Sequence, residues 1–216
     1  MPRERNQMVE ERKIRRRRAN GEESRRRILD AAVEVASERG YEGTSIAIVS
    51  ARSGLPASSI YWHFKDKDEL IAAVIERSFG TWLTAMDIPD GDGPFARIRA
   101  MTASVAKGLL ESPDFLRLGL MLGLERRPEE PSARAMFLEV RDTAFRNLTT
   151  SVRELLPALD DAAIRLLVTY AMAGADGIFV AKEIGGDSID IARLFDLHAH
   201  ALFDLAARFV AGDLTP

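Results

Sequence analysis

The stretch from Thr44 to Leu70, TSIAIVSARSGLPASSIYWHFKDKDEL, decides the fold of this 216-residue chain. Two short helical patterns flank Gly54, Leu55 and Pro56, and the second carries two serines, a tyrosine, a tryptophan and a histidine within six positions. A helix so short and so rich in hydrogen-bonding groups does not serve mainly to fill a core. The pattern predicts a helix-turn-helix whose second helix enters DNA.

Spacing within this second helix separates a buried face from an exposed one. Ile60 and Phe64 lie four positions apart and are expected to pack inward together. The other side chains are small hydroxyls or aromatic groups that can reach base edges or phosphates. These candidate DNA contacts are Ser58, Ser59, Tyr61, Trp62 and His63. Tyr61 and Trp62 could instead brace a helix junction with only their polar tips free, and for Trp62 both alternatives stay open.

Three runs of residues support a resemblance to a known family. The runs are TSI at 44–46, GL at 54–55 and IYWHFKDKDEL at 60–70. They closely resemble the DNA-binding domain of the TetR (tetracycline-repressor-like) regulators over about residues 24–75, and the remainder matches only in helical layout. The resemblance implies a homodimeric transcription factor, usually a repressor. It also implies a carboxy-terminal domain that binds a small-molecule effector and dimerises.

The resemblance also assigns individual DNA contacts. It implies that small residues at the start of the second helix face bases and that flanking polar groups hold the phosphate backbone. The residues concerned are Thr44, Ser45, Ala57, Ser58, Ser59, Tyr61, His63 and Lys67. Two positions depart from the family pattern. Pro56 stands where a capping Ser or Thr is usual, and Ser50 replaces a small Ala, which is tolerated if its hydroxyl bonds back to the chain.

Charge is distributed unevenly along the chain. Residues 1–67 hold 15 basic and 10 acidic residues, whereas the remainder is acidic and the whole chain has a net charge of −3. A basic amino-terminal part followed by an acidic remainder suggests that only the amino-terminal part contacts a polyanion. Residues 1–20, which include the run Arg15–Arg18, are polar without apolar periodicity and are predicted to be a disordered arm. The arm either contacts DNA or is a solvated tail, and Arg25 is a candidate phosphate contact from the first helix.

Apolar spacing of three and four residues recurs through the chain, and no strand-like alternation appears. The predicted fold is all-α, with about nine helices: a three-helix helix-turn-helix domain joined to a helical ligand-binding and dimerisation domain. We expect the DNA-binding domain and its connecting helix to cover residues 21–84, and the effector-binding domain residues 85–216. The Pro- and Gly-rich break at 88–94 marks the boundary. Beyond it, helical patterns cover 95–111, 114 to about 126, 132–155, 160–183 and 188–211.

The carboxy-terminal part offers little chemistry. It has no nucleophile motif, and the chain has no cysteine. Of the three histidines of the chain, only His198 and His200 lie in this part, and their spacing does not suit a shared metal. We therefore expect that the protein is not an enzyme and that it binds no cofactor and no metal ion. No apolar run is expected to span a membrane and no secretory signal is found at the amino terminus, so cytoplasmic is the default location.

Two surfaces of the second domain are candidates for assembly and ligand binding. Small residues around Gly174 and Gly177, with the apolar face of the last helix, are expected to form a dimer interface, the alternative being an intramolecular core. That face consists of Leu194, Leu197, Ala201, Leu202, Leu205 and Phe209. An apolar set with a few polar anchors is the candidate effector pocket, although core packing is the commoner role for most of its members; the polar anchors Tyr170, Asp176 and Glu125 are the sharper candidates. Its members are Phe115, Leu118, Met121, Leu122, Glu125, Met136, Tyr170, Asp176 and Phe179.

The sequence thus favours a regulator that binds a palindromic DNA operator as a homodimer and is released by a small molecule. Three alternatives stay open: an activator on the same fold, an effector-independent nucleoid-type DNA-binding protein, and an all-α enzyme with an appended helix-turn-helix. The missing catalytic constellation weighs against the last of these.

Overall fold

A computed structural model describes the backbone of residues 2–85, 93–124 and 132–216. Side chains are described for residues 19–80, 93–124 and 132–216. Most of the predicted break at 88–94 lies outside these ranges, as do Glu125 and the side chain of Trp82.

Within the described ranges, nine α-helices and one 3-10 turn (Gly186–Ser188) account for all the regular structure, and no strand occurs. The prediction of an all-α fold with about nine helices is confirmed. The helices are α1 Pro2–Gly43, α2 Ile46–Ser53, α3 Ala57–His63, α4 Lys67–Ala85, α5 Pro94–Glu111, α6 Asp114–Leu124, α7 Ser132–Leu155, α8 Asp161–Gly185 and α9 Ile191–Ala211.

The first twenty residues differ from the prediction. The sequence predicted a disordered arm there, whereas the helical backbone of α1 begins at Pro2 and passes through Asn20 without a cap. Proline fits the first turn of a helix, and the residues that follow are mostly Arg, Glu, Lys, Gln and Met, which favour helix. Gly40 interrupts α1 with φ 68 and ψ −177, a backbone conformation that glycine adopts readily.

The chain divides into two compact units, and the division is not the one predicted at residue 84. The first unit holds residues 1–76 and 117–137, and the second holds residues 77–116 and 138–216. A Pro- and Gly-rich break marks where the chain leaves a helix, but compactness depends on which helix faces bury each other. In the first unit, for example, Gly119 lies so close to Phe137 that a Cβ there would fall 2.1 Å from the ring.

The second unit corrects the predicted dimer surface. Gly174 of α8 faces the buried ring of His198 on α9, and His198 Nε2 lies 3.0 Å from the Ala171 carbonyl oxygen. A Cβ at Gly174 would fall 2.3 Å from His198 Cε1, so the missing side chain permits close packing within one subunit. Leu202 is 4% exposed and belongs to the core cluster with Ile164. Gly174 and Leu202 therefore pack within one subunit, as the alternative of an intramolecular core required, and not at a dimer interface.

One described stretch, 161–188, is long and apolar enough to cross a bilayer by length and composition, with 28% of the relevant window buried. The sequence had predicted no such segment because Asp176 interrupts it. In the structure, Arg141 of α7 donates to both carboxylate oxygens of Asp176, at 3.0 and 2.7 Å. A carboxylate in the middle of an apolar helix that is paired with an arginine of another helix is typical of a helix packed against protein.

We predict that Gly174→Ala destabilises the fold by about 1–3 kcal/mol, because the added methyl group overpacks the contact with His198. Gly80→Ala is the matched control, since nothing lies within 4 Å of a Cβ at that helical position. The control should gain about 0.5–1 kcal/mol from helix propensity. Urea unfolding at one protein concentration measures both, and equal stability of the two variants would contradict the packing described.

Candidate nucleic-acid interface

The helix-turn-helix is held by caps at both ends of α2. Ser45 Oγ accepts a hydrogen bond from the Ile48 backbone N–H at 3.3 Å and so caps the amino end of α2. Gly54 ends the helix in the left-handed region with φ 67, a conformation that glycine adopts at little cost. Pro56 then begins the entry to α3 with φ −64 and, as expected, provides no side-chain cap.

Two side chains brace the turn between α2 and α3. Ser50 Oγ donates to the Leu55 carbonyl oxygen at 2.7 Å, so its hydroxyl bonds back to the chain as the sequence required. From α1, Arg27 Nη2 donates to the Ser53 carbonyl oxygen at 2.8 Å. Sequence reasoning missed this role of Arg27, because a bond between residues 26 positions apart leaves no periodic signal.

Helix α3 has one buried and one exposed face. Ile60 is fully buried and Phe64 is 2% exposed, as their spacing predicted. On the other side, Tyr61 is 58% and Trp62 75% exposed, and Ser58 is also exposed. Ala57 and Ser59 are partly buried. The structure therefore brings together the residues expected to face DNA, and the contacts themselves stay a prediction.

Thr44 does not lie where a phosphate contact requires it. It is 2% exposed, and its hydroxyl donates to the Gly40 carbonyl oxygen at 2.7 Å. Its backbone N–H donates to the Tyr41 carbonyl oxygen at 3.2 Å. The sequence showed two adjacent hydroxyl residues before α2, and only Ser45 caps the helix. The Thr44 side chain therefore joins the segment before α2 to the end of α1, and the predicted DNA contact of this side chain is wrong.

Lys67, the first residue of α4, is held by groups of its own unit. Its ammonium donates to the Tyr41 carbonyl oxygen at 3.2 Å and lies 4.1 Å from the centroid of the Tyr41 ring. Glu42 Oε2 is 3.8 Å away. An ammonium has three donors, so a phosphate can share this group with Tyr41. The predicted phosphate contact of Lys67 stays a prediction.

His63 joins the end of α3 to α1. Its Nε2 lies 3.0 Å from Ser24 Oγ, a partner that the sequence did not suggest. Burial lowers the pKa of His63 below its ordinary value, and the nearby guanidinium of Arg25 lowers it further. Arg25 itself is exposed, with its guanidinium 5.5 Å from the centroid of the Phe64 ring. His63 therefore serves the junction between α3 and α1 as well as any DNA contact.

The predicted effector residues have several different environments. Phe115, Leu118, Leu122 and Phe179 are each at most 5% exposed and fill cores. Met136 is partly buried, whereas Met121 and Tyr170 are 49% and 47% exposed. Asp176 is not a free polar anchor, because Arg141 occupies its carboxylate. Core packing competes with ligand binding for these side chains, and the effector site stays a prediction.

Comparison with known proteins places the helix-turn-helix in a family. The profile of the family described as "Bacterial regulatory proteins, tetR family" matches residues 28–74, which run from α1 into α4. The helix-turn-helix of this chain is therefore similar to that of the TetR-family regulators. The HTH-type transcriptional regulator AcrR of Shigella flexneri is 39% identical over 57 residues, 26% of each chain. The chain thus spans about a quarter of the length of this relative.

Two other proteins are similar over most of the chain. The HTH-type transcriptional repressor AcnR of Corynebacterium diphtheriae is 28% identical over 176 residues, which cover 80% of this chain and 88% of AcnR. The structure of FadR from Bacillus subtilis in complex with stearoyl-CoA superposes with a TM-score of 0.68 at 20% identity. That match covers 82% of this chain and 96% of FadR, and it shows a shared fold.

We predict that Arg25→Gln raises the pKa of His63 toward its ordinary value of 6.5, because the variant removes one of the two causes that lower it. In the wild type, His63 binds a proton less readily in the folded state than in the unfolded state. Its contribution to stability is therefore complete above pH 6.5 and is lost as the pH falls through the lower folded pKa. An NMR titration of the ring protons measures both proteins, and an unchanged pKa would contradict the assignment.

Proposed function

We propose that the protein is a sequence-specific DNA-binding repressor that a small-molecule effector releases from its operator. The observation that supports this most directly is the exposed face of α3, held in place by Ile60 and Phe64. A helix anchored from one side presents small hydroxyls and aromatic rings to solvent on the other, which is the arrangement that a major-groove helix needs.

The side chains suggest a division of roles on DNA. Ala57, Ser58 and Ser59 lie at the amino end of α3, where small side chains let the helix approach base edges closely. Tyr61 has an exposed hydroxyl-bearing ring that can reach a phosphate, and Ser45 and Lys67 are the other proposed phosphate contacts. Base contacts would supply specificity, and the backbone contacts would supply register and much of the affinity.

A stripe on α8 supports assembly as a homodimer. Exposed positions recur at intervals of four and three residues along the helix, the spacing of a helix-packing seam. These positions are Leu166, Tyr170, Ala173, Gly177, Val180 and Ile184. Ile184 is 83% exposed and Leu166 47%, so large apolar groups face solvent in one subunit. We propose that a second copy of this chain covers the stripe, because a two-fold interface lets the same patch pack against itself.

Two DNA-binding units on one frame would bind two half-sites of a palindrome, roughly 34–36 Å apart in successive turns of DNA. The relatives named repressor and transcriptional regulator support this function over the nucleoid-type and enzyme alternatives. The FadR complex with stearoyl-CoA suggests an effector that binds the helical domain. Such a molecule must bind the DNA-competent and DNA-incompetent states unequally. A cytoplasmic location follows from this function.

Tyr61→Ala should weaken operator binding by roughly 10-fold or more, the effect of losing a hydrogen bond to a charged group. The fold should persist because the side chain is 58% exposed. Leu110→Ala, at a 53% exposed residue of α5, is the matched control and should bind as the wild type does. Fluorescence anisotropy at fixed salt measures the affinities, and wild-type affinity in Tyr61→Ala would contradict the role of α3.

Ile184→Glu should shift the protein from dimer to monomer, because it places a charge within the proposed apolar seam at its most exposed large side chain. Leu124→Glu is the matched control, since Leu124 is 82% exposed on α6 and lies outside the stripe. Light scattering measures the mass of each variant, and circular dichroism checks that helicity is retained. If Ile184→Glu remains a dimer, the interface does not include this stripe.

A further inference from the structure

The indole of Trp62 is the most exposed large apolar side chain of α3, with 75% of its surface accessible. One edge nonetheless has a neighbour in α1. A methyl group built on Gly21 would lie 3.6 Å from the indole carbons Cη2 and Cζ3, so the ring rests beside the α1 backbone at this point.

Two further contacts join the same parts of the chain. His63 Nε2 lies 3.0 Å from Ser24 Oγ, and the Phe64 ring centroid lies 5.5 Å from the Arg25 guanidinium. Three consecutive residues at the end of α3 thus contact one turn of α1. An open groove of about 690 Å³ lies here, lined by Asn20, Gly21, Glu22, Ser24, Arg25, Trp62 and His63. We call this set of contacts the α1–α3 clamp.

The clamp lies directly after the most basic part of the chain. The α1 backbone is helical from Pro2, and the run Arg15–Arg18 ends three residues before Gly21. At a rise of about 1.5 Å per residue, this run lies within roughly 10 Å of Gly21 along the helix axis. Residues 1–19 hold eight basic and three acidic residues. A contact that fixes α1 at Gly21 therefore also fixes the direction of the helical segment that carries these basic residues.

We propose that Trp62, with His63 and Phe64, positions the basic extension of α1 as a second contact to the phosphate backbone of DNA. The clamp makes the extension a fixed helical element instead of a free arm. A fixed element binds phosphates with a smaller loss of conformational entropy than a disordered arm does. The inference rests on the proposed DNA-binding function, and it makes Trp62 a positioning residue that acts through α1.

A double-mutant cycle in the full chain tests this role. The four proteins are the wild type, Trp62→Ala, a four-glutamine variant that carries Arg15→Gln, Arg16→Gln, Arg17→Gln and Arg18→Gln, and the combination. Glutamine removes the charge and retains helix propensity. Removal of one phosphate contact should reduce the slope of log affinity against log salt by about 0.9. Over a fourfold rise in salt concentration, the variant should therefore lose roughly threefold less affinity than the wild type does.

We expect Trp62→Ala to lower the salt slope in the wild-type background and to have no further effect in the four-glutamine background. Trp62→Phe, which retains an aromatic face beside Gly21, should restore most of the slope. Gly21→Ala should behave as the wild type, because its methyl group fits at an ordinary contact distance. If Trp62→Ala lowers affinity equally in both backgrounds at an unchanged salt slope, the uncharged indole contacts DNA directly. If it lowers the slope equally in both, Trp62 acts on phosphate contacts other than those of Arg15–Arg18, and if it leaves the slope and the affinity of the wild-type background unchanged, the clamp does not position the extension. Each of these results overturns the proposal.

Amide hydrogen exchange without DNA separates this inference from the proposed function. The amides of residues 10–20 should exchange faster in Trp62→Ala than in the wild type, because the extension loses its support against α3. Equal exchange in the two proteins would overturn the clamp even if DNA binding is normal. If the wild type binds no DNA, the proposed function fails, and the exchange result still decides whether Trp62 holds α1.

Discussion

The first compact unit depends on the burial of Ile60 and Phe64 beneath α3. This helix has only seven residues, and an isolated helix shorter than about 12–15 residues is marginal in water. Its conformation must therefore come from tertiary packing, with Ile60 fully buried and Phe64 2% exposed. The Ser50 and Arg27 hydrogen bonds to the turn fix the angle at which α3 leaves α2. Without this anchoring, the exposed hydroxyls and rings would have no fixed geometry to present to DNA.

A polar network at the start of α4 shows why the unit extends beyond the amino-terminal helices. The Asp68 carboxylate accepts hydrogen bonds from the Ser132 backbone N–H at 2.6 Å, the Ala133 backbone N–H at 3.2 Å and the Tyr41 hydroxyl at 3.1 Å. It thus satisfies amides at the amino terminus of α7, which have no partner within their own helix. The hydrogen bonds together hold the pKa of Asp68 below its ordinary value, although burial acts in the opposite direction.

Local signals in the sequence predicted local features well. The inward spacing of Ile60 and Phe64 and the bounds of α7 both depend on residues near one another in the chain. The failures concern contacts between distant residues. Nothing adjacent to Gly174 indicates that His198 fills the space beside it, and the sequence beside Thr44 does not show that its hydroxyl is buried. Apolar spacing likewise identified the last helix as amphipathic but could not say that Leu202 faces its own subunit.

The central claim is that exposed α3 residues recognise a DNA sequence, and selection from a pool of random duplexes tests it most directly. Purified protein is mixed with the pool, bound DNA is recovered and amplified over several rounds, and the enriched sequences are footprinted. We predict one short palindrome with two half-sites, each protected from cleavage and about one helical turn apart. Recovery of DNA with no enriched sequence, or continuous protection along the duplex, would contradict the claim.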